Sequence, residues 1–294
     1  MANIQYLKKK LETIKNVQKL TRAIKMVATV RAKKAQQVLQ TSKVIPQKIR
    51  EAMYILKNCE EIYDINQHPL VKQREKILHS TILIVSNDHG LCGSFASRVA
   101  IKALELMSAT KSEKEYFLIS IGNRGTAYLK SKGVKIDQEY QNFFSKYTLD
   151  KVYNLADFFV NSYLSFNTDE VMIVYTSLKP SYNLETTISR LVPISIQEVS
   201  QIKGEEKFRM TWVLEPDIES ILNEILKLYL VSELNKIFHE SFASEQIARM
   251  QAMEMASTNA EKFLSKLKIE FNKIRQELIT KEVIEVISGS IHSE

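Results

Sequence analysis

The longest stretch of this chain without a helix-breaking residue runs from Asp217 to Ser288 and reads DIESILNEILKLYLVSELNKIFHESFASEQIARMQAMEMASTNAEKFLSKLKIEFNKIRQELITKEVIEVIS. Its 72 residues contain neither Gly nor Pro, and Pro46 is the only such residue between Met1 and Gln67. Both stretches are therefore free to form long helices. Because an α-helix rises ~1.5 Å per residue, the C-terminal stretch alone would extend about 108 Å. An ordinary globular core cannot cover a helix of that length.

Apolar spacing in both stretches predicts that these helices pair with each other. The C-terminal stretch carries a heptad pattern, in which steps of four and three residues alternate. The N-terminal stretch carries two such sets joined by a step of three, which would overwind the coil locally. The predicted seam consists of Ala260, Leu264, Leu267, Phe271, Ile274 and Leu278 in the C-terminal stretch, and of Ile4, Leu7, Leu11, Ile14, Val17, Leu20, Ile24 and Val27 in the N-terminal stretch.

The two ends of the chain also differ in charge. Residues 1–50 carry ten Lys, three Arg and the single acid Glu12, for a net charge of +12. Residues 217–288 carry nine basic and twelve acidic side chains, for a net charge of −3. Opposite charges on the two ends favour an antiparallel intramolecular coiled coil. The alternative is two separate amphipathic helices, each packed on the central part of the chain.

The middle of the chain has a different pattern, in which short apolar runs alternate with helical segments. Six of the seven Gly lie between residues 90 and 204, where they mark turns. This alternation predicts an α/β layer with mostly parallel strands, and we expect the last two strands, which have no helix between them, to form a hairpin. The predicted strands are Thr81–Ser86, Tyr116–Ile121, Glu170–Leu178, Thr187–Ile194 and Lys207–Leu214, and the predicted helices are Ser94–Met107, a short helix ending near Lys132, and Leu149–Phe166.

The sequence therefore predicts an α/β fold in which a Rossmann-like domain is inserted between the halves of a long antiparallel coiled coil. We place the N-terminal coiled-coil helix at residues 1–67, the central α/β domain at 68–215 and the C-terminal coiled-coil helix at 216–294. No uncharged run exceeds 11 residues, well short of the ~18–20 needed to cross a bilayer, so no membrane span is expected. No apolar segment follows Met1, so we expect no secretory signal.

Two glycine-containing loops follow predicted strands, at the place where α/β proteins commonly bind phosphate. Gly90–Gly93 reads GLCG and Gly122–Gly125 reads GNRG, and neither matches a dinucleotide-binding or P-loop motif, so we favour structural turns. Asp88 and His89 precede the first of these loops, but no nucleophile constellation accompanies them. Asp88 is expected to cap the following turn.

We expect no catalytic, cofactor or metal site. The five His show no metal-ligand spacing, and Cys59 and Cys92, the only cysteines, form no CxxC pair. Both cysteines are typical of reduced thiols in a cytosolic protein.

The basic N-terminal stretch allows three interpretations. Lys8–Lys10 and Lys33–Lys34 suit either nucleic-acid phosphates or an acidic protein partner, and the pattern alone leaves these two open. A helix lying on a membrane surface would need Trp or Phe anchors, and none occurs before Phe95. A merely solvated face is disfavoured because residues 1–50 contain a single acid.

Four segments of the chain resemble the gamma subunit of F-type ATP synthases, the central-stalk rotor. Ile14–Ala35 reads IKNVQKLTRAIKMVATVRAKKA, and Ser86–Ser94 reads SNDHGLCGS. The run beginning at Glu240 reads ESFASEQIARMQAMEMASTNA, and Asn272–Gly289 reads NKIRQELITKEVIEVISG. The resemblance covers both ends and the centre in the same order. The central loop departs from the family, which usually has Arg where this chain has His89 and Gly where it has Ser94.

This resemblance implies a mechanism in which the coiled coil turns inside a head of three alpha and three beta subunits. Its asymmetric surface would meet each beta subunit differently and cycle the catalytic sites through different nucleotide affinities. The chain itself would be non-catalytic and hold no cofactor. The family's rotor–head contacts correspond to Arg22, Ile24, Lys25 and Met26 in the N-terminal helix and to Arg275, Gln276 and Thr280 in the C-terminal helix.

The resemblance also implies partners and a location. The α/β domain would contact the epsilon subunit and the c-subunit ring, with no nucleic acid and no direct membrane span. The chain would lie on the cytoplasmic side of a bacterial inner membrane as a peripheral subunit. One alternative is a gamma-like subunit of a divergent F-type-like rotary ATPase that drives another process, for which Ser200–Glu206 and the central domain should discriminate. A less favoured alternative is a nucleic-acid-binding coiled-coil protein with salt-sensitive DNA affinity.

Overall fold

The architecture is known from a computed structural model that describes residues 2–57, 65–109, 114–195 and 217–291. Three long or medium helices come from the two ends of the chain: α1 (Ala2–Ser42), α2 (Val44–Lys57) and α6 (Ile218–Ile291), the last with 74 residues. The unbroken helix predicted for the C-terminal stretch is confirmed. The N-terminal stretch divides at Lys43, and Pro46 lies in the first turn of α2, where its missing N–H has no helical acceptor.

The central part of the chain forms one five-stranded mixed sheet, in the order β3-β2-β1-β4-β5. The first four strands are parallel, and β5 runs antiparallel to β4. This confirms the predicted α/β domain with mostly parallel strands. The strands are β1 (His79–Val85), β2 (Glu115–Ile121), β3 (Gln138–Tyr140), β4 (Glu170–Lys179) and β5 (Asn183–Val192), and the intervening helices are α3 (Phe95–Ala109), α4 (Asn123–Ser131) and α5 (Leu149–Leu164).

Two details of the sheet differ from the sequence expectation. Strand β3 was not predicted, because its three residues carry no apolar run. Strand β5 follows β4 through the tight turn Pro180–Tyr182 and pairs with it as a hairpin. The strand predicted at Lys207–Leu214, and with it the hairpin predicted for the last two strands, lies outside the described residues.

Alternate side chains of the central strands enter two separate cores on the two faces of the sheet. Leu83 and Val85 of β1 face a core shared with α2, α5 and α6. Ile82 and Ile84 face a second core shared with α3 and α4. A strand covered on both faces favours apolar residues at consecutive positions, which is why Ile82–Val85 of β1 form a continuous apolar run.

The chain divides into two compact units. One comprises Met1–Val30 with Arg249–Glu294, and the other comprises Arg31–Ala248. The domain boundaries that we placed after residues 67 and 215 stay predictions.

Within the first unit, the least exposed side chains of both helices follow a regular heptad. The predicted C-terminal seam from Ala260 to Leu278 is confirmed, and so is the first N-terminal set from Ile4 to Ile14. The least exposed positions of α1 are Ile4, Leu7, Leu11, Ile14, Gln18, Thr21, Ile24, Lys25 and Ala28, and those of α6 are Ala252, Met253, Ala256, Ser257, Ala260, Leu264, Leu267, Phe271, Ile274 and Leu278.

The second predicted N-terminal set is wrong except at Ile24. Val17, Leu20 and Val27 are 46%, 60% and 54% exposed. The seam instead continues from Ile14 in alternating steps of four and three through polar and small residues, so α1 needs no local overwinding. A pattern search for apolar residues passes over such positions, because Gln18 and Thr21 are polar. Thr21 satisfies its hydroxyl locally by donating to the carbonyl oxygen of Gln18 at 3.0 Å.

A buried histidine ties residues 65–71 to α6 in the second unit. The backbone N–H of Leu70 donates to His68 Nδ1 at 3.2 Å, so the ring carries its proton on Nε2, which lies 2.9 Å from Asn223 Oδ1. Burial lowers the pKa of His68, and burial also lowers the pKa of His239 in α6. Folding therefore favours the neutral form of both side chains.

Ala28 lies in the seam and is 1% exposed. We predict that Ala28→Leu destabilises the coiled coil by about 1–3 kcal/mol, because the closely packed seam has no room for the larger side chain. The matched control Val27→Leu lies on the exposed face and should change stability by less than ~0.5 kcal/mol. Urea unfolding followed by far-UV circular dichroism measures both variants. A larger loss for Val27→Leu than for Ala28→Leu would restore the seam first expected from the sequence.

We also predict a loss of stability in mild acid. Both pKa values are lowered on folding, so the stabilisation is complete above the unfolded value of about 6.5 and declines as pH falls below it. His68→Gln should reduce the acid-dependent part of the loss. The measurement is the urea midpoint of wild type and variant at several pH values on either side of that pKa. Equal acid sensitivity in the two proteins would show that His68 is not the titrating group.

Candidate functional site

The loops after β1 and β2 lie side by side at the carboxyl edge of the sheet. The hydroxyl of Ser86 accepts a hydrogen bond from the N–H of Gly125 at 3.1 Å and donates to the carbonyl oxygen of Ile121 at 2.9 Å. The other N–H groups at the start of α4 are also bonded: those of Asn123, Arg124 and Thr126 donate to Asp88, Asn87 and Gly122. These donors, which would hold a phosphate in a nucleotide-binding loop, are already used within the chain.

Asp88 acts as a cap that joins two loops. Its buried carboxylate accepts from the backbone N–H of Asn123 at 3.3 Å, of Asn142 at 3.0 Å and of Phe144 at 3.4 Å. Asp88 therefore caps backbone N–H groups, as expected, but not those of the turn that follows it. Its partners lie 35 or more residues further along the chain.

Helix α6 covers the part of this edge where doubly wound sheets usually bind ligands. The strand order reverses between β1 and β4, and the crevice outside that point is the usual site. Here Glu240 Oε1 of α6 accepts from the N–H of Leu178 at the end of β4, at 3.0 Å. Ala248 of α6 packs against Cys92 of the β1–α3 loop and Phe95 at the start of α3. Among the described residues, no group of acidic, His or Cys side chains is arranged to hold a metal.

The seven expected rotor–head contact residues all lie in the first unit, on two helices. On α1, Arg22 and Met26 are exposed, whereas Ile24 and Lys25 are partly buried. On α6, Arg275, Gln276 and Thr280 are exposed. Gln276 and Thr280 line a shallow surface depression, and the Thr280 hydroxyl donates to the carbonyl oxygen of Gln276 at 2.9 Å.

Two ion pairs between α1 and α6 show which residues of the two helices lie beside each other. Arg22 pairs with Glu261 of α6 at 3.8 Å, and Lys25 pairs with Glu254. Arg275 lies 14 residues beyond Glu261, which corresponds to about 21 Å along the helix. The two groups of expected contacts therefore lie at different heights on the coil and not opposite each other. Among the described side chains, no carboxylate pairs with Arg275.

The face of α1 around these residues is apolar as well as basic. Met26 and Val30 are exposed, and Val17, Leu20 and Val27 are exposed beside them. Exposed apolar stripes of this kind mark protein contacts more often than nucleic-acid contacts, which are dominated by charge. The sequence carries a signal for this surface, since Val17, Leu20 and Val27 are apolar and do not fit the heptad that continues from Ile14, but apolar spacing alone places these three residues in the seam.

The sequence of this chain is similar to those of known proteins. A family model described as ATP synthase matches residues 3–291. The chain is 33% identical to the ATP synthase gamma chain of Campylobacter lari over 98% of this chain and 98% of that protein. It is 31% identical to the ATP synthase gamma chain of Geotalea uraniireducens over 99% of this chain and 98% of that protein.

Solved structures share the fold. A chain of the Euglena gracilis mitochondrial ATP synthase (OSCP/F1/c-ring) matches with a TM-score of 0.63 and 17% identity, covering 98% of this chain and 93% of that chain. A chain of the central stalk/c-ring of the Tetrahymena thermophila enzyme matches with a TM-score of 0.59 and 22% identity, covering 81% and 99%. These chains thus share the fold of two long helices with an inserted sheet domain. The chain belongs to the ATP synthase gamma chain family.

Within the described residues, no helix has the length and apolar character to cross a membrane.

Glycine at position 125 is required by a close approach, and we predict that Gly125→Ala is strongly destabilising. A Cβ there would lie 2.3 Å from Ser86 Oγ, so the loop pair at the sheet edge must separate, at a cost of about 1–3 kcal/mol or more. Gly133→Ala is the control, because its Cβ meets nothing within 4 Å and only the positive φ is strained, by about 1–2 kcal/mol. Urea midpoints compare them. A smaller loss of stability for Gly125→Ala than for Gly133→Ala would show that the close approach to Ser86 does not require glycine at position 125.

Proposed function

We propose that this chain is the central-stalk rotor of an F-type ATP synthase, a non-catalytic subunit that couples rotation to nucleotide-affinity changes in the alpha3-beta3 head. The observation that carries the proposal is the full-length match to gamma chains, together with an unbroken helix of 74 residues. Such a helix belongs to both compact units, since residues 218–248 lie in one and 249–291 in the other. Continuous backbone hydrogen bonding makes it a stiff element that suits torque transmission.

The coil has the surface asymmetry that this role needs. Its α1 side (residues 1–30) carries seven basic side chains and one acid, whereas its α6 side (residues 249–291) carries seven basic side chains and six acids, among them Glu254 and Glu261. When an asymmetric shaft turns inside a ring of similar subunits, each subunit meets a different face in turn. Differences in contact free energy then become differences in nucleotide affinity at the catalytic sites.

The contacts on α6 are of a directional kind. Arg275 is suited to a bidentate bond with a carboxylate of the head, and Gln276 and Thr280 offer hydrogen bonds beside it. Arg22 and Lys25 are suited to acidic loops of the beta subunits. Their present partners, Glu261 and Glu254, are about half exposed or more. Exposed ion pairs are worth only ~0–1 kcal/mol, so exchanging one partner for another during rotation costs little.

The α/β domain is the part of the rotor that we assign to the epsilon subunit and the c-subunit ring. We propose residues 68–215 as this domain, because all five strands and helices α3, α4 and α5 lie within that range. We place the chain on the cytoplasmic side of a bacterial inner membrane, held there by its partners. Ser200–Glu206, the segment that should distinguish a divergent F-type-like motor, lies outside the described residues.

Co-expression with matching alpha and beta subunits tests the proposal. We expect a particle with one copy of this chain per three alpha–beta pairs, visible in its mass, and ATP hydrolysis by that particle. The control is the same preparation without this chain. If no complex forms and the isolated chain binds DNA tightly at low salt, with a steep salt dependence, the rotor assignment is wrong and the basic helix is a nucleic-acid site.

Substitutions on α6 test the contact residues. We predict that Arg275→Ala and Gln276→Ala each lower the ATP hydrolysis rate of the assembled particle by up to about fivefold, since an exposed contact is worth ~0–1 kcal/mol. The double variant should lose more than either single variant. Lys266→Ala, at an exposed position on the same helix, is the matched control and should keep the wild-type rate. Full activity in the double variant would exclude these two residues from the head contact.

A further inference from the structure

Most of the circumference of α6 is buried between Tyr229 and Ala248, in the second unit. Nearly every side chain from Tyr229 to Ala248 is buried, including polar ones such as Ser241 and Gln246. A surface helix normally buries one stripe and leaves the opposite face in water. Here the residues that are not fully buried, Asn235, Lys236, His239 and Phe242, are half-buried and lie along one side, so the helix has no fully exposed face in this segment.

One side of the enclosed segment is held through carboxylates. Glu233 Oε1 accepts from Arg50 Nη1 of α2 at 2.6 Å, and its other oxygen is paired with Lys236 one turn along. Seven residues later, Glu240 accepts from the N–H of Leu178 at the end of β4, at 3.0 Å. Both carboxylates are buried, so each bond forms in a region where water cannot easily replace it.

The opposite side is held by aromatic residues of the segment after β3. The hydroxyl of Tyr147 donates to Asn235 Oδ1 at 2.5 Å, and burial raises the pKa of Tyr147, so this hydroxyl stays a donor. The ring of Phe143 packs on Phe238 with 5.0 Å between ring centroids. The ring of Phe144 stacks on that of Phe242, with 5.8 Å between ring centroids and 29° between the ring planes.

Helical spacing places these two sets of contacts on opposite sides of α6. With ~3.6 residues per turn, Glu233 and Glu240 are about two turns apart and share one side, whereas Asn235 lies about 140–160° away from them. A helix held at one side only can roll against its neighbour. Directional bonds on two opposite sides resist rotation about the helix axis in both senses.

We propose that these contacts form a collar that fixes the rotational angle of α6 in the α/β domain, so that domain and helix turn together. The inference rests on the proposed rotor function, and it adds the residues through which torque passes from the domain into the shaft. The members of the collar are Arg50, Tyr147, Leu178, Glu233, Asn235 and Glu240.

The test removes one bond from each side of the collar in the complete synthase. Glu240→Leu deletes the acceptor with little change in volume, and Tyr147→Phe deletes only the hydroxyl. The control Glu240→Gln keeps an oxygen acceptor for the Leu178 N–H. A particle tethered at Lys135, whose side chain is 90% exposed, reports the angle of the α/β domain while the head is held by a nucleotide analogue.

We expect the angular variance of the tethered particle to rise about twofold in the Glu240→Leu/Tyr147→Phe double variant, more than the two single variants together, because each bond restrains what the other leaves free. Glu240→Gln should match wild type. Equal variance in double variant and wild type would overturn the collar. So would a Glu240→Gln variant as loose as Glu240→Leu, because the acceptor would then be irrelevant.

A second measurement separates the collar from the rotor assignment. In the isolated full chain, amide hydrogen exchange in residues 230–248 should be faster in the double variant than in Glu240→Gln, and unchanged exchange would also overturn the collar. This readout needs no partner.

The two measurements can give different answers. If the wild-type complex fails to assemble or turn while the exchange difference is present, the rotor function is wrong, and the collar still fixes the angle of α6 in the α/β domain. If the double variant does not assemble, the two single variants decide by the same two readouts.

Discussion

A helix of 74 residues cannot bury its own side chains, and the need to cover α6 determines what surrounds it. In one unit the cover is a single partner helix, and α6 accordingly shows a narrow seam of Ala260, Leu267 and similar residues repeated every seven positions. In the other unit the cover comes from several elements, and the same helix has no exposed residue between Tyr229 and Ala248. One continuous backbone thus carries two different surface patterns, each matched to what lies against it.

The parts of the fold that follow from local pattern could be predicted from sequence. The unbroken C-terminal helix and β1 are examples, since breaker-free length and a doubly buried strand leave direct signatures in composition. The seam of α1 could be predicted only as far as Ile14. Beyond it Gln18 and Thr21 occupy seam positions, and a search for apolar spacing moves to the exposed Val17 and Leu20 instead. Strand β3 is held by pairing with β2 and has no pattern of its own.

The candidate contact residues came from resemblance rather than from pattern, and the structure adds what resemblance does not contain. The identities at positions 22–26 and 275–280 do not show that the two groups are separated along the coil; the pairing of Arg22 with Glu261 shows it. The proposed contacts at two heights would act over a length of shaft and would resist tilting as well as rotation. The buried carboxylates of α6 are also invisible to pattern reasoning, because an isolated Glu in a helix is typical of a solvated face.

Those carboxylates raise a question of energy. A buried Glu is costly unless its bonds are complete, and a well-packed apolar residue of similar size is often as stable or more so. Glu233 and Glu240 therefore add little that stability alone requires. Apolar packing holds a helix at a distance but distinguishes weakly between neighbouring angles, whereas a charge-assisted bond at 2.6–3.0 Å is satisfied at one angle only. Polar residues in the collar are thus explained by a need for a fixed angle between helix and domain, which is the property that a rotating shaft has to keep.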